Sequence, residues 1–376
     1  MRLNLCFRGV VLGALVAASC SPAPTATRQP VLTVYQSSAS IGDPHIVSDA
    51  LARRSIIYSV YEALVRLDEL GNYQPALAER WEVGEDARSW TFHLRDGVTF
   101  HNGEVLSAFD VVATLGRVLD PSIGGAFGTQ GVYISYLGTA EISAPDDMTV
   151  RIVTVDPMAD LLDLVVDMPI SPASELHRLP EAYVGSGPYE IIEQSGTRLV
   201  IAAHDDYWGE TPDYDEIHWV AEGDSEKRVD ALLDGRADIA AGIGIQGRDR
   251  IAEDGTALTH EANSGLAIIF MANSLEGAGS DRRVRQALNY ALNVDGIIEE
   301  IKHGAAQPLS GYLTPNHFGY NPETPPYPYD PDRARSLLAE AGYADGLELV
   351  FDIPQVMPDE MPELARMMAE QYGQVG

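Results

Sequence analysis

Residues 75–112 read PALAERWEVGEDARSWTFHLRDGVTFHNGEVLSAFDVV. Trp90, Phe92 and Leu94 alternate with Thr91, His93 and Arg95. That period of two puts apolar side chains on one face of a half-buried strand. Asp96-Gly97 predicts a tight turn, Val98 and Phe100 resume the alternation, and Asn102-Gly103 predicts a second turn. Ser107, with Asp110 three residues on, has the spacing of a helix capping box. The stretch is a scaffold of hairpin and helix with no catalytic constellation. His93 and His101 flank the turn without a third metal ligand nearby in sequence, and read as solvent-facing hairpin residues.

Working outward, strand and helix patterns alternate, which argues for an α/β chain. Residues 31–35 read as a strand followed by the polar loop QSSASIGDPH. Residues 50–67 turn helical, with Ile56, Ile57, Val60 and Leu64 on one face. Gly185-Ser186-Gly187-Pro188 forces a turn before a strand at 189–192. Further strands are expected at 199–203, 214–219 and 237–240, with a helix at 224–233 stopped by Gly235. AIIFMAN (267–273) reads as a buried strand. Val284, Ala287, Leu288, Ala291 and Leu292 form an amphipathic face behind an Asp281 cap. Asp330-Pro331 opens another helix, with Ala334, Leu337, Leu338 and Ala341 inward and Gly342 at its end. A strand at 347–353 and a helix through Met361, Leu364, Ala365 and Met368 complete the pattern.

The amino terminus is a leader. Arg2 and Arg8 form a basic region, and the apolar run 10–18 is too short for a membrane span. It ends Ala17-Ala18-Ser19-Cys20, the shape of a lipobox with alanine where leucine is usual. Cleavage before Cys20 and lipidation of its thiol is one reading, and ordinary signal cleavage near Ser19 is the other. Residues 1–19 are thus expected as signal peptide and 20–30 as a lipidated tether, which is rich in Pro, Thr and Ala. Both readings place the mature protein outside the cytoplasm.

Cys6 and Cys20 are the only cysteines and both lie in the leader, so the folded body has no disulfide, thiolate nucleophile or cysteine-ligated metal. The chain carries 25 Lys+Arg against 56 Asp+Glu, a net charge of −31. Removing the leader before Cys20 deletes Arg2, Arg8 and no acids, which takes −31 to −33. Such a body repels nucleic acid. The charge serves solubility, and a preference for cationic ligands is also consistent with it. Ser186 lies between two glycines, but the hydrolase elbow needs G-x-S-x-G. No His–Asp pair accompanies it in a recognisable arrangement, so an enzyme is not expected.

The wording of several separated segments resembles one family. LAERWEV (77–83), WTFHLRDGVTFHNGE (90–104) and SAFDVV (107–112) match in order. So do YEALV (61–65), GSGPY (185–189), YWG (207–209), RVDALLDGRADIA (228–240), DRRVRQALNYALNVDGII (281–298) and PYPYDPDRARSLLAEAGY (326–343). The chain is similar to bacterial extracellular solute-binding proteins of family 5, the peptide/nickel class of ABC-importer receptors. The resemblance implies an α/β, periplasmic-binding-protein-like, two-lobe fold of class II with a small α+β lobe inserted. It divides the chain into a first lobe (31–58 and 172–266), a small inserted lobe (59–171) and a second lobe (267–376). Family members continue beyond the point where this sequence stops, so the second lobe is expected to be incomplete, with weak ligand binding and protease sensitivity as consequences.

The implied function is to bind a peptide between two lobes and deliver it to membrane permease subunits, as a monomer with no cofactor and no metal. Other solutes (a nickel chelate, a sugar) and a truncated, non-transporting envelope protein are the alternatives. The resemblance places Ser37, Ser38 and Ala39 on the cleft-facing loop, and Phe270, Met271 and Asn273 at the crossing between lobes. Hydroxyls and free backbone groups at a strand's carboxyl end suit ligand binding. The loop also fits an ordinary polar connection, and Phe270 and Met271 fit simple core packing.

Overall fold

The computed structural model describes residues 29–46, 51–123, 129–261, 267–315, 317, 319–353 and 361–376. Residues up to Gly242 form one compact unit, and Ile243–Gly376 a second. Cys20 and the segment expected to be a leader lie outside the described residues.

In the first unit the chain runs β1 (Gln29–Gln36), α1 (Leu51–Val60), β2 (Val65–Leu67), β3 (Tyr73–Pro75), β4 (Ala78–Val83) and β5 (Ser89–Leu94). It continues with α2 (Ala108–Val118), α3 (Thr129–Leu137), β6 (Glu141–Asp146), β7 (Thr149–Val153) and α4 (Leu161–Val165). Then come β8 (Tyr189–Gln194), β9 (Arg198–Ala203), β10 (Tyr214–Ala221), α5 (Ser225–Leu233) and β11 (Ile239–Ala240). Strands β11-β1-β10-β9-β8 form a five-stranded sheet, β4-β5-β7-β6 a four-stranded one, and β2-β3 a hairpin.

Two hydrophobic cores result. One gathers Leu64, Leu77, Trp90, Phe92, Phe100, Val111, Leu115, Ile152, Leu161 and Ile170 around the four-stranded sheet. Its β5 alternates as the sequence predicts, with Trp90, Phe92 and Leu94 inward, and the Trp90 and Phe92 rings stack at 6.3 Å. The Asp110 carboxylate accepts from the Ser107 N–H and hydroxyl at 2.8 and 2.7 Å, which starts α2 where the capping box requires. The other core gathers Val34, Ile41, Ile56, Ile57, Val60, Tyr61, Leu199, Ile201 and Trp219 beneath the five-stranded sheet.

Helix α1 stops at Val60, short of the predicted Leu67. Backbone groups farther along the chain capture the segment after it. Gly187 N donates to Val60 O at 3.0 Å, Leu77 N to Ala63 O at 3.2 Å and Ala78 N to Leu64 O at 2.9 Å. Leu64 is still buried, but in the neighbouring core. His101 is not solvent-facing. Its main-chain N–H donates to Gly185 O at 2.9 Å. Its Nδ1 accepts from Gly185 N at 3.3 Å, so the ring proton sits on Nε2, 3.0 Å from Gly187 O. The re-entry loop covers that side of the hairpin, a contact that hairpin periodicity does not encode.

The second unit holds α6 (Ile245–Asp254), α7 (Arg282–Tyr290), α8 (Val294–Lys302), α9 (Pro331–Glu340) and α10 (Met361–Gly373). Asp281 and Asp330 cap α7 and α9 by accepting from Arg283 N and Arg333 N. Val284, Ala287 and Ala291 bury against Ala334, Leu337 and Leu338. Ile297 packs with Met361, Leu364, Met367 and Met368. The expected strands at 267–273 and 347–353 are not strands. Most of their apolar residues are exposed, Met271 at 90 % and Val350 at 87 %. An apolar run becomes a strand only where a neighbour completes its ladder, and neither segment pairs with a described strand.

Candidate functional site

Strand β1 pairs in parallel with β10 on one side and β11 on the other. The carboxyl ends of all three therefore lie on one edge of the sheet. The loops that follow Gln36, Ala221 and Ala240 leave from this edge, where open α/β sheets take ligands.

The loop after β1 is built around Gln36, which is 3 % exposed. Its Nε2 donates to Ser38 O at 2.7 Å and to Ala52 O of α1 at 2.9 Å. Its own carbonyl accepts from Glu222 N at 2.8 Å, which ties this loop to the one after β10. The three candidates here divide by role. Ser37 is exposed. Ser38 turns inward, its carbonyl held by Gln36 and its Oγ accepting from Ser40 N at 3.3 Å. Ala39, at 2 % exposure, is a core anchor.

The other two loops are fastened by Arg228 on α5, 4 % exposed. Its Nη1 donates to Glu222 O at 2.5 Å and Gly223 O at 2.9 Å, and its Nη2 to Gly242 O at 2.7 Å. Asp224 caps α5 by accepting from Glu226 N at 2.9 Å. Sequence reasoning passed over Gln36 and Arg228. Arg228 opens the RVDALLDGRADIA motif, the one signal present, but its carbonyl partners come together only in the fold.

Three further clusters fasten the two cores of the first unit to each other. The Glu62 carboxylate accepts from Ser186 Oγ at 3.0 Å, Tyr207 OH at 3.1 Å and Trp208 Nε1 at 2.8 Å. Burial pushes Glu62 above the usual carboxylate range, against the pull of these donors. The Arg95 guanidinium lies 4.3 Å over the Trp208 ring. Arg117 pairs with Asp43 at 2.6 Å and donates to His45 Nδ1 at 2.9 Å, so His45 Nε2–H faces Pro169 O at 2.9 Å. Burial, then the Arg117 charge, lowers His45 to about 4. Burial alone is the main cause of a similar fall, to about 4, at His101. Arg54 and Tyr58 of α1 both donate to Asp167, each at 2.5 Å.

Phe270, Met271 and Asn273 belong to the second unit. The Phe270 ring packs 4.8 Å from Phe351, Met271 is exposed, and Asn273 Oδ1 accepts from Leu275 N at 3.0 Å. Each group of candidates is thus placed within its own unit. Among the described residues no helix is long and apolar enough to cross a membrane.

The mixed sheet thus brings the loops after β1, β10 and β11 to one edge of an α/β fold. A solved Helicobacter pylori structure has the same fold, the ABC transporter-associated periplasmic binding protein DppA in complex with peptide STSA. It matches with a TM-score of 0.77 at 24 % identity, over 92 % of this chain and 72 % of that one. The chain belongs to family 5 of the bacterial extracellular solute-binding proteins, whose middle-region profile matches residues 72–376. It is 30 % identical to heme-binding protein A of Haemophilus influenzae, over 94 % of this chain and 71 % of that protein. It is 27 % identical to the dipeptide-binding protein of Escherichia coli, over 98 % of this chain and 74 % of that protein.

Proposed function

We propose that this chain is the substrate-binding component of an ABC importer, that its solute is a peptide, and that Ser37 and the loops beside it meet that solute. The observation that carries the reading is the likeness to a dipeptide-binding protein along 98 % of the chain. The convergence of three loops at the carboxyl edge of β1, β10 and β11 supports it. A peptide held mainly through its main chain needs hydroxyl and backbone partners, which such an edge supplies. Phe270, Met271 and Asn273 are assigned to the same function from the second unit. The lobe boundaries expected from the sequence go with this reading, and the separate core between Leu64 and Ile170 supports a small lobe at 59–171. Lipidation at Cys20 and a monomeric state complete it.

Calorimetry with trialanine tests the proposal. Saturable binding is expected, weakened by Ser37→Trp without a matching fall in melting temperature. A melting loss with affinity intact makes the loop structural. A second reading, a heme-type solute, has the 30 % identity to a heme-binding protein behind it. Binding of hemin and not of trialanine selects it.

A further inference from the structure

We propose that Gln36 and Arg228 are positioning residues of the solute site, two buried side chains that hold the loops after β1, β10 and β11 in their binding shape. The inference rests on the reading of this chain as a solute receptor.

Both residues sit where packing alone asks for something else. Gln36 ends a strand whose Val34 is core, and Arg228 precedes Val229, which is fully buried. A polar side chain at such a place costs free energy unless its donors are satisfied. Here Gln36 Nε2 and the two terminal nitrogens of Arg228 reach main-chain carbonyls: Ser38 and Ala52 for Gln36, and Glu222, Gly223 and Gly242 for Arg228. Four of these five carbonyls belong to the loops at the sheet edge, and the fifth anchors the first loop to α1.

The loops need such a restraint. Gly223 and Gly242 are exposed, and Gly242 is in the left-handed region at φ 66°. Glycine segments lose the most conformational freedom when ordered. A loop that must order on meeting a solute binds it more weakly, whereas one ordered beforehand does not carry that cost. Ser37, next to the clamped Ser38 carbonyl, is exposed. The Glu222 backbone joins the two clamps, since its N–H donates to Gln36 O and its carbonyl accepts from Arg228.

The test uses the full chain with Gln36→Met, which keeps the volume and loses both donors, and Arg228→Lys, which keeps the charge but cannot span three carbonyls. In solute-free protein, amide exchange should rise about tenfold at the hydrogen-bonded N–H of Ser40 in the first variant and at those of Glu222 and Ala241 in the second, with β9 unchanged. Trialanine affinity should fall about tenfold, mostly through faster dissociation. Unchanged loop exchange overturns the proposal, as does faster exchange with trialanine affinity retained. If Gln36→Met does not fold, Arg228→Lys decides alone. If the wild type binds hemin and not trialanine, the peptide reading fails and hemin affinity becomes the second readout. If it binds neither, loop exchange alone decides the positioning role.

Discussion

The Trp208 indole donates to the Glu62 carboxylate at 2.8 Å across 146 residues of chain. Glu62 follows the end of α1, and Trp208 lies beyond β9. The bond therefore joins the chain just after α1 to the loop that leaves β9 of the five-stranded sheet.

Replacing Glu62 by Ala strands three donors, Ser186, Tyr207 and Trp208. The expected loss is about 2–3 kcal/mol, the cost of leaving enclosed donors unpaired. Glu62→Gln should cost less, because its single amide oxygen still accepts and the two hydroxyls can turn. Chemical denaturation followed by Trp fluorescence measures both. Equal losses in the two variants contradict the assignment.

Gly185 is required by close approach. A Cβ there would stand 2.0 Å from Val60 O, backbone against backbone. Gly185→Ala should lower stability by about 3 kcal/mol or more, because neither chain segment can yield without breaking the bonds around Val60. Gly196→Ala is the control, since nothing lies within 4 Å of that position. It should leave stability within about 1 kcal/mol of the wild type.

Acid should loosen the first unit through His45. Its folded pKa of about 4 lies below the ordinary 6.5, so the unfolded chain takes up the proton more readily. The stability tied to neutral His45 is fully present above pH 6.5 and is lost as pH falls toward 4. At about 1.4 kcal/mol per tenfold of proton affinity, the ceiling is about 3 kcal/mol. His101 acts in the same direction and window. In His45→Gln the amide can accept from Arg117 and donate to Pro169, so its melting temperature should fall less steeply between pH 6.5 and 4. A slope equal to that of the wild type removes His45 from the account.

Cys20→Ala should move the expressed protein from the membrane fraction to the soluble one, because a lipid on Cys20 is the proposed anchor. Unchanged partition excludes lipidation at this site.

Local sequence determined the elements whose signals are local. The alternation in β5, the capping box of α2, the Asp281 cap of α7 and the Asp330-Pro331 start of α9 all stand where periodicity and turn chemistry put them. Those features depend on neighbours within a few residues, so a linear reading reaches them. The motif wording fixed the family on the same basis.

Tertiary structure decided the rest. AIIFMAN has the composition of a strand and is not one, because a strand is defined by its partner and not by its own residues. α1 ends at Val60, and His101 is enclosed, because backbone from 77–78 and 185–187 closes over them. Of Ser37, Ser38 and Ala39, alike as small loop residues, only packing settles that Ser37 faces out while Ala39 anchors the core. The roles of Gln36 and Arg228 cannot be read from the sequence, where Arg228 has only its place at the head of the RVDALLDGRADIA motif, because their partners are main-chain carbonyls, which every residue has and only the fold brings within reach.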